Sequence, residues 1–539
     1  MKNPLLFLLL ATHAMAAPDY APILPRLDAV VHEQMRDWDL RGVAVALVDD
    51  QRVVHEQGYG EATKDSVFRA GSISKLFNAI GVMQQVEAGR LDLDAPLPPE
   101  FTPVNPFADR PAVTLRHLLS HRSGLQREAR VGHYFDDTQP TIEATARSVH
   151  DCVLVTRPGE KTRYSNVAPT IAGHLAARAA GKGFESWQKE AIFSPLGMSS
   201  SAWTLKNVPA GRLVPSHMRV ADGRGGWRRQ EAPVFDLGTI PAGNLFTTVG
   251  DLARFASCLL ADGRGILRPG SLAQMLKPQF TTGDTGFGLG FSVGKFRQHP
   301  SYGHNGAVFG HSAYLTILPD AKVAVVAIGN EDIANGRLKR IGDTALSLLL
   351  EAKTGEKPPA SPDAKWPEEA MLRRRTGDYE SQSYWAHLAV KDGRLTGEMS
   401  GQPLAFRPLG GAAFEVSSRI DDAVPVTFTL AADGPAGSFV MGAQKFERVP
   451  AEAAPLPAEW KSLTGAYGPA FIPVIVSERH GHLYAMTENM VDYRLTPVNR
   501  QCFALPPGMY VDEHVVFLRR PDGTMHGMDF ANMVFTKHP

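Results

Sequence analysis

The chain has 539 residues, 43% hydrophobic and 21% charged, with 56 Lys plus Arg against 56 Asp plus Glu. That length exceeds what one hydrophobic core serves, so two or three domains are expected. The even charge balance gives no footing for a nucleic-acid partner or an anionic membrane surface, and no stretch reaches the ~20 apolar residues of a membrane span.

In chain order, Lys2 precedes an apolar core over 5–11 and the small-x-small site Ala14-Met15-Ala16. Residues 1–16 therefore read as a cleavable signal peptide, which predicts a periplasmic or secreted protein. No Cys follows the cleavage site, so no lipid anchor is expected. The 3.6-residue period over 27–38 predicts a helix. Alternation over 43–48 and 52–57, around Asp49-Asp50, predicts a hairpin. Helical spacing follows Ser72 and recurs over 168–180. A second hairpin is expected over 314–318 and 323–328, around Pro319-Asp320, then a helix over 337–352. A block at 17–356 that begins helix–hairpin and ends hairpin–helix can build one antiparallel sheet from both its ends, with a helical subdomain inserted between them. The expected class is α/β.

Residues 357–367 and 450–459 are rich in Pro, Ala and charge and read as linkers. The segments after them, 368–449 and 460–539, look like an internal repeat. Thr376-Gly377-Asp378-Tyr379 is echoed by Thr464-Gly465-Ala466-Tyr467, and the same offset carries Gly393-Arg394-Leu395 onto Gly481-His482-Leu483. Both alternate apolar and polar residues between turn signals, so each is expected to form a small antiparallel β-barrel.

Only Cys152, Cys258 and Cys502 are present, without metal-ligand spacing. H-E-x-x-H and G-x-S-x-G are both missing, which excludes the common zinc-hydrolase and nucleophile-elbow scaffolds. Ser72-Ile73-Ser74-Lys75 places a hydroxyl at an expected helix N-terminus, with an amine one turn on along the same face. A buried Lys of lowered pKa can take a serine proton. An N-capping Ser followed by a surface Lys would read the same, and S-x-x-K is too short to decide. In Tyr164-Ser165-Asn166, Tyr164 is a candidate general base with its pKa lowered by Lys75, and Asn166 a candidate donor to a substrate carbonyl. Helix capping by Ser165 or Asn166 stays open. His304-Asn305-Gly306 is bracketed by Gly303 and Gly306, which predicts close backbone approach. The N–H groups of Ala307 and Ser72 are candidates for an oxyanion hole. Lys353-Thr354-Gly355 ends the last expected helix and is set aside.

Ser72–Lys75, Tyr164–Asn166 and His304–Gly306, in that order, resemble the three motifs of class C β-lactamases and related penicillin-binding proteins. His117-Leu118-Leu119-Ser120-His121-Arg122-Ser123-Gly124-Leu125, Pro195-Leu196-Gly197-Met198, Pro241-Ala242-Gly243 and Gly288-Leu289-Gly290-Phe291 also match. The resemblance implies a β-lactamase-like α/β sandwich with a helical subdomain, serine acylation and no metal or cofactor. It gives the 117–125 segment a structural role. His304 departs from the Lys found there in true β-lactamases; its charge depends on its pKa, so carboxylate recognition is expected to be weak at pH 7.5 and stronger at pH 6. The H-x-G form and two C-terminal barrels resemble D-aminopeptidases of the family, which implies that the second barrel covers the cleft. Barrels that merely stabilise or oligomerise the enzyme are the alternative. The expected substrate is a small amide, ester or peptide, D-amino-acid peptides included. A β-lactamase or DD-carboxypeptidase, and a catalytically silent binding or sensor protein, stay open, as does the oligomeric state.

Overall fold

Helix α1 (Leu24–Trp38) leads into the hairpin β1 (Gly42–Asp49) and β2 (Arg52–Gly60). The computed structural model describes residues 18–107, 112–221, 226–359, 364–411, 413–450, 452 and 455–539. The expected signal peptide lies outside the described residues, as do parts of both expected linkers. β1 is buried at every position, which shows a strand covered on both faces. Because side chains alternate along a strand, Val43, Val45 and Leu47 join one apolar cluster and Ala44, Ala46 and Val48 another.

At the far end of this block lie β3 (Gly286–Phe287), β4 (Ser292–Phe296), β5 (His299–Val308), β6 (His311–Leu318), β7 (Val323–Gly329) and helix α4 (Asn335–Thr354). β7 sorts its side chains as β1 does: Val323, Val325 and Ala327 on one side, Ala324, Val326 and Ile328 on the other. The two strands pair antiparallel, Val43 opposite Gly329, and the seven-stranded sheet runs β2-β1-β7-β6-β5-β4-β3. The expected sheet from both ends of the block is therefore found. α1 and α4 cover one face with Leu27, Val31, Leu338 and Ile341. The other face meets the inserted helices, among them α2 (Ser74–Glu87) and α3 (Val167–Ala180). Each fully buried Val, Leu or Ile stabilises this sandwich by about 1.5–3 kcal/mol. α4 ends at Gly355 in a left-handed cap, and Lys353 reaches Asp49 at 2.6 Å, away from the cleft.

Eight strands from Gly377–Glu380 to Gln444–Arg448 form a closed antiparallel barrel. The second repeat keeps the strand order but not the closed ladder. It divides into a four-stranded sheet (Gly465–Tyr467 to Asp492–Arg494) and a five-stranded sheet (Thr496–Pro497 to Met533–Thr536), linked by a bridge between Tyr467 and Lys537. The break falls beside Pro497, which has no N–H for a ladder. The expectation of two similar barrels is corrected in this respect. The repeat itself is visible in detail: Tyr379 donates its hydroxyl to the Arg375 carbonyl at 3.0 Å, and Tyr467 donates to Leu463 at 2.7 Å. All three cysteines are unpaired.

Candidate active site

Ser72 sits in a single 3-10 turn, Gly71–Ile73, that feeds α2. The Ser74 hydroxyl holds the turn, donating to the Gly71 carbonyl at 2.6 Å and accepting from the Leu245 amide at 3.0 Å. The turn is pressed against β5. A Cβ added at Gly71 would lie 2.6 Å from the Ala307 nitrogen, and one at Gly306 would lie 2.0 Å from the Ala70 carbonyl oxygen. This is the close approach expected from Gly306, and it brings the Ser72 turn and Ala307 together. Gly303 instead makes room for the Leu315 carbonyl of β6.

Lys75, one turn into α2, is 2% exposed, and its Nζ meets Ser72 Oγ at 3.0 Å, Asn166 Oδ1 at 2.8 Å and the Ala242 carbonyl at 2.8 Å. Burial, with Arg127 adding to it, holds this amine well below the usual lysine range, while Glu128 works the other way. Asn166 caps α3 by position only; its side chain turns to the site and donates Nδ2 to Glu128 Oε1 at 2.6 Å. A chain Ser72–Lys75–Asn166–Glu128 results. Ala242 lies in the Pro241-Ala242-Gly243 match, whose chemical role the sequence did not disclose. Glu128 was missed altogether, three residues beyond a segment read as structural.

Tyr164 is half-buried, with Lys75 Nζ 4.8 Å from its ring centroid. Burial pushes its phenol up to about 12, against the lowering effects of Ser72 and Arg127. The expectation of a Tyr164 acidified by Lys75 is corrected: desolvation outweighs the lowering by Ser72 and Arg127, and the group activated by its surroundings is Lys75 itself. His121 stacks on the Tyr164 ring at 4.2 Å, and its Nδ1 accepts the Ser165 amide at 3.2 Å. The 117–125 segment therefore touches the site, although it carries no motif chemistry of its own.

His304 is 7% exposed on β5, its ring 6.0 Å from that of Tyr164. Burial and the nearby Lys75 push the imidazole down to about 4, with the Asn305 carbonyl opposing them. The expected charging near pH 6 is thereby corrected, because imidazolium would have to form inside a desolvated site already holding an amine.

These groups line a cavity of about 320 Å³. Its floor holds Ser72, Tyr164, Asn166, His304, Gly306 and Ala307; its roof holds Ile420 from the closed barrel and Glu488, Asn489 and Met509 from the second repeat. The roof is tied down beside Tyr164. Arg163, next to Tyr164, donates to Glu513 Oε1 and Asp512 Oδ2, each at 2.9 Å, and the Arg127 amide also donates to Glu513 at 2.9 Å. One apolar cluster continues from Phe135, Met218 and Phe309 of the first block into Tyr467, Phe503 and Phe535 of the second repeat.

Residues 27–349 match the family model described as Beta-lactamase. The chain belongs to the β-lactamase family. Its relatives include penicillin-binding protein 4 of Amycolatopsis lactamdurans, 30% identical over 64% of this chain and 94% of that protein. Esterase EstB of Burkholderia gladioli is 25% identical over 55% of this chain and 88% of that protein. The octameric penicillin-binding protein homologue from Pyrococcus abyssi has the same fold, with a TM-score of 0.57 at 23% identity over 78% of this chain and 99% of that chain. This β-lactamase family member is a serine hydrolase. Among the described residues, no helix is long and apolar enough to cross a membrane, and no group of His, Cys, Asp or Glu is placed to hold a metal.

Proposed function

We propose that the protein is an exported hydrolase that is acylated at Ser72 by small amides or esters, short D-amino-acid peptides among them. The surroundings of Lys75 carry this reading. A neutral amine has two N–H donors and one lone pair. The Asn166 and Ala242 oxygens, both acceptors, take the two donors and leave the lone pair for the Ser72 hydroxyl proton. Lowering of the amine's pKa makes that neutral form available. As Ser72 Oγ bonds to the carbonyl carbon, its proton passes to Lys75, and the developing oxyanion faces the Ser72 and Ala307 amides. Tyr164, a phenol rather than a phenolate, then relays the proton to the leaving group. Water enters in the reverse sense and frees the acid.

The small cavity supports short substrates. Export rests on Lys2, the apolar stretch and Ala14-Met15-Ala16. The name of the Amycolatopsis relative favours a second reading, penicillin recognition. Against it, neutral His304 offers a carboxylate no charge where true β-lactamases place Lys.

Intact-mass analysis with a fluorophosphonate is expected to show one adduct, lost in Ser72→Ala; equal labelling of that variant removes the assignment. Turnover of nitrocefin, p-nitrophenyl esters and amino-acid anilides then separates the two substrate readings.

A further inference from the structure

Two buried polar side chains that take no part in the chemistry above meet beside the Ser72 turn: Arg69, 1% exposed, and Asn244, 0% exposed. Burying such groups is costly unless their hydrogen bonds are made. Asn244 makes all four that a side-chain amide can make. Its Oδ1 accepts from Arg69 Nη2 at 3.0 Å and from the Leu237 amide at 3.2 Å. Its Nδ2 donates to the Trp203 carbonyl and to Asp236 Oδ1, each at 2.8 Å. Donors on one side and acceptors on the other fix which way the amide faces. Arg69 also donates Nη2 to the Phe235 carbonyl at 3.1 Å, while its Nε and Nη1 are buried without partners. Both bonds of this guanidinium therefore go to the 235–244 segment.

That segment is part of the cavity wall through Leu237, Thr239, Ala242 and Gly243. Asn244 closes it into a loop, its side chain holding Leu237 and its own amide donating to the Ile240 carbonyl at 3.2 Å. The next residue fastens the loop to the nucleophile. Leu245 donates its amide to Ser74 Oγ at 3.0 Å and accepts the Ala70 amide at 2.7 Å. Inside the loop, the Ala242 carbonyl takes one N–H of Lys75 at 2.8 Å.

We infer that Asn244, oriented by Arg69, is a positioning residue that holds the Ala242 carbonyl on Lys75. This inference rests on Lys75 as the base for Ser72 and deepens that reading. With Ala242 and Asn166 both in place, the amine cannot turn, and its lone pair faces Ser72 Oγ. With Ala242 displaced, Asn166 alone holds it, and rotation about that one bond takes the lone pair off the hydroxyl. The Ala242 carbonyl also favours the charged amine, because a bond from ammonium is stronger than one from a neutral N–H. Its displacement thus lowers the Lys75 pKa. A loop that merely loosened and admitted water would raise it by relieving desolvation. Arg127, Glu128, Tyr164, His121 and His304 also face Lys75 and are left unaltered in the test.

The test follows pre-steady-state bursts of the full chain with p-nitrophenyl acetate from about pH 5 to 9, comparing wild type, Asn244→Ala and Asn244→Ser. Neither substitution adds a charge, and circular dichroism checks the fold. Asn244→Ala is expected to lower the acylation rate constant by about 10–100-fold with half-saturation nearly unchanged, as misplacement of a reacting group does. Its acid limb should move to lower pH by about half a unit or more. Asn244→Ser keeps one donor and one acceptor, so its rate and limb should fall between the other two. Should Asn244→Ala not fold, Asn244→Ser carries the measurement. A limb that stays or moves upward, a loss in half-saturation alone, or failure of both variants to fold assigns Asn244 to the fold and overturns the inference. An acid limb that persists in Lys75→Ala, or a wild type without a Ser72 adduct, indicts the parent reading instead.

Discussion

The floor and the roof of the cavity are built by opposite means. The floor is local geometry: a turn entering α2, the start of α3 and one strand, β5, set Ser72, Lys75, Asn166 and His304 by regular structure. The roof is three loops from 420 onward, hung on barrel strands and fixed by ion pairs to residues beside the floor. Regular elements hold reacting groups to fractions of an ångström, whereas loops on a rigid support can change what is admitted without disturbing them. On this contrast, floor substitutions should act on kcat and roof substitutions on selection, except where the two are tied together.

The largest effects belong to the floor. Lys75→Ala and Tyr164→Phe are each expected to lower kcat by ~10²–10⁴, the range for acid–base groups. The double variant should lose far less than the product, because both serve one proton path. Single-turnover acylation reads this, and strictly multiplicative losses would show two independent functions.

Next comes the tie between the halves. Glu513 is 2% exposed and bonded to Arg163, which directly precedes Tyr164 in sequence. Glu513→Leu leaves the buried Arg163 guanidinium with Asp512 alone and the Arg127 amide without its acceptor, a loss expected to stay below the about 3–5 kcal/mol of a fully broken buried pair. Denaturant midpoints should fall, and Ser72 labelling should slow with them. An unchanged labelling rate in the folded variant would show that the roof is passive. A chain ended near residue 356 should do worse, since the cluster shared by Phe309 and Tyr467 is cut open.

A smaller effect is expected at the roof's apolar edge. Ile420 and Met509 line the cavity from the roof. Met509→Ala should widen it and raise kcat/KM for longer acyl groups several-fold, with short substrates little changed. Equal preference before and after would deny the roof its role in selection.

The same contrast explains what could be read from the chain. The sheet was legible because β1 and β7 are short apolar runs beside turn signals, and the floor because Ser72–Lys75, Tyr164–Asn166 and His304–Gly306 are compact motifs. Glu128 was illegible for a physical reason: a single carboxylate in a loop carries no period, and its place in the site comes from Asn166, which only the fold brings to it. The errors at Tyr164 and His304 share a cause. Sequence shows which charges are near, but the cost of desolvation depends on burial, which only the fold supplies.

His304 gives the smallest expected effect, and its smallness is informative. Its imidazole has a pKa of about 4 in the folded chain, against the ordinary 6.5 once unfolded. The unfolded chain therefore binds more protons between these values, so stability rises with pH through that window. The contribution is fully present above 6.5 and is lost as pH falls toward 4, a difference on the order of 3 kcal/mol at 1.36 kcal/mol per unit. Between pH 6 and 7.5 the folded imidazole stays neutral. The ratio of wild-type to His304→Asn activity should then be flat across that interval, even while Glu513, pushed up to about 7 by burial, shapes both profiles. Below pH 5 the wild type should lose stability faster than the variant in denaturant titrations. A ratio that instead steps near pH 6.5 would mean that His304 charges in the folded enzyme. The floor would then hold a cation for substrate carboxylates, as the Lys of true β-lactamases does, and the work of selection would shift from the roof to β5.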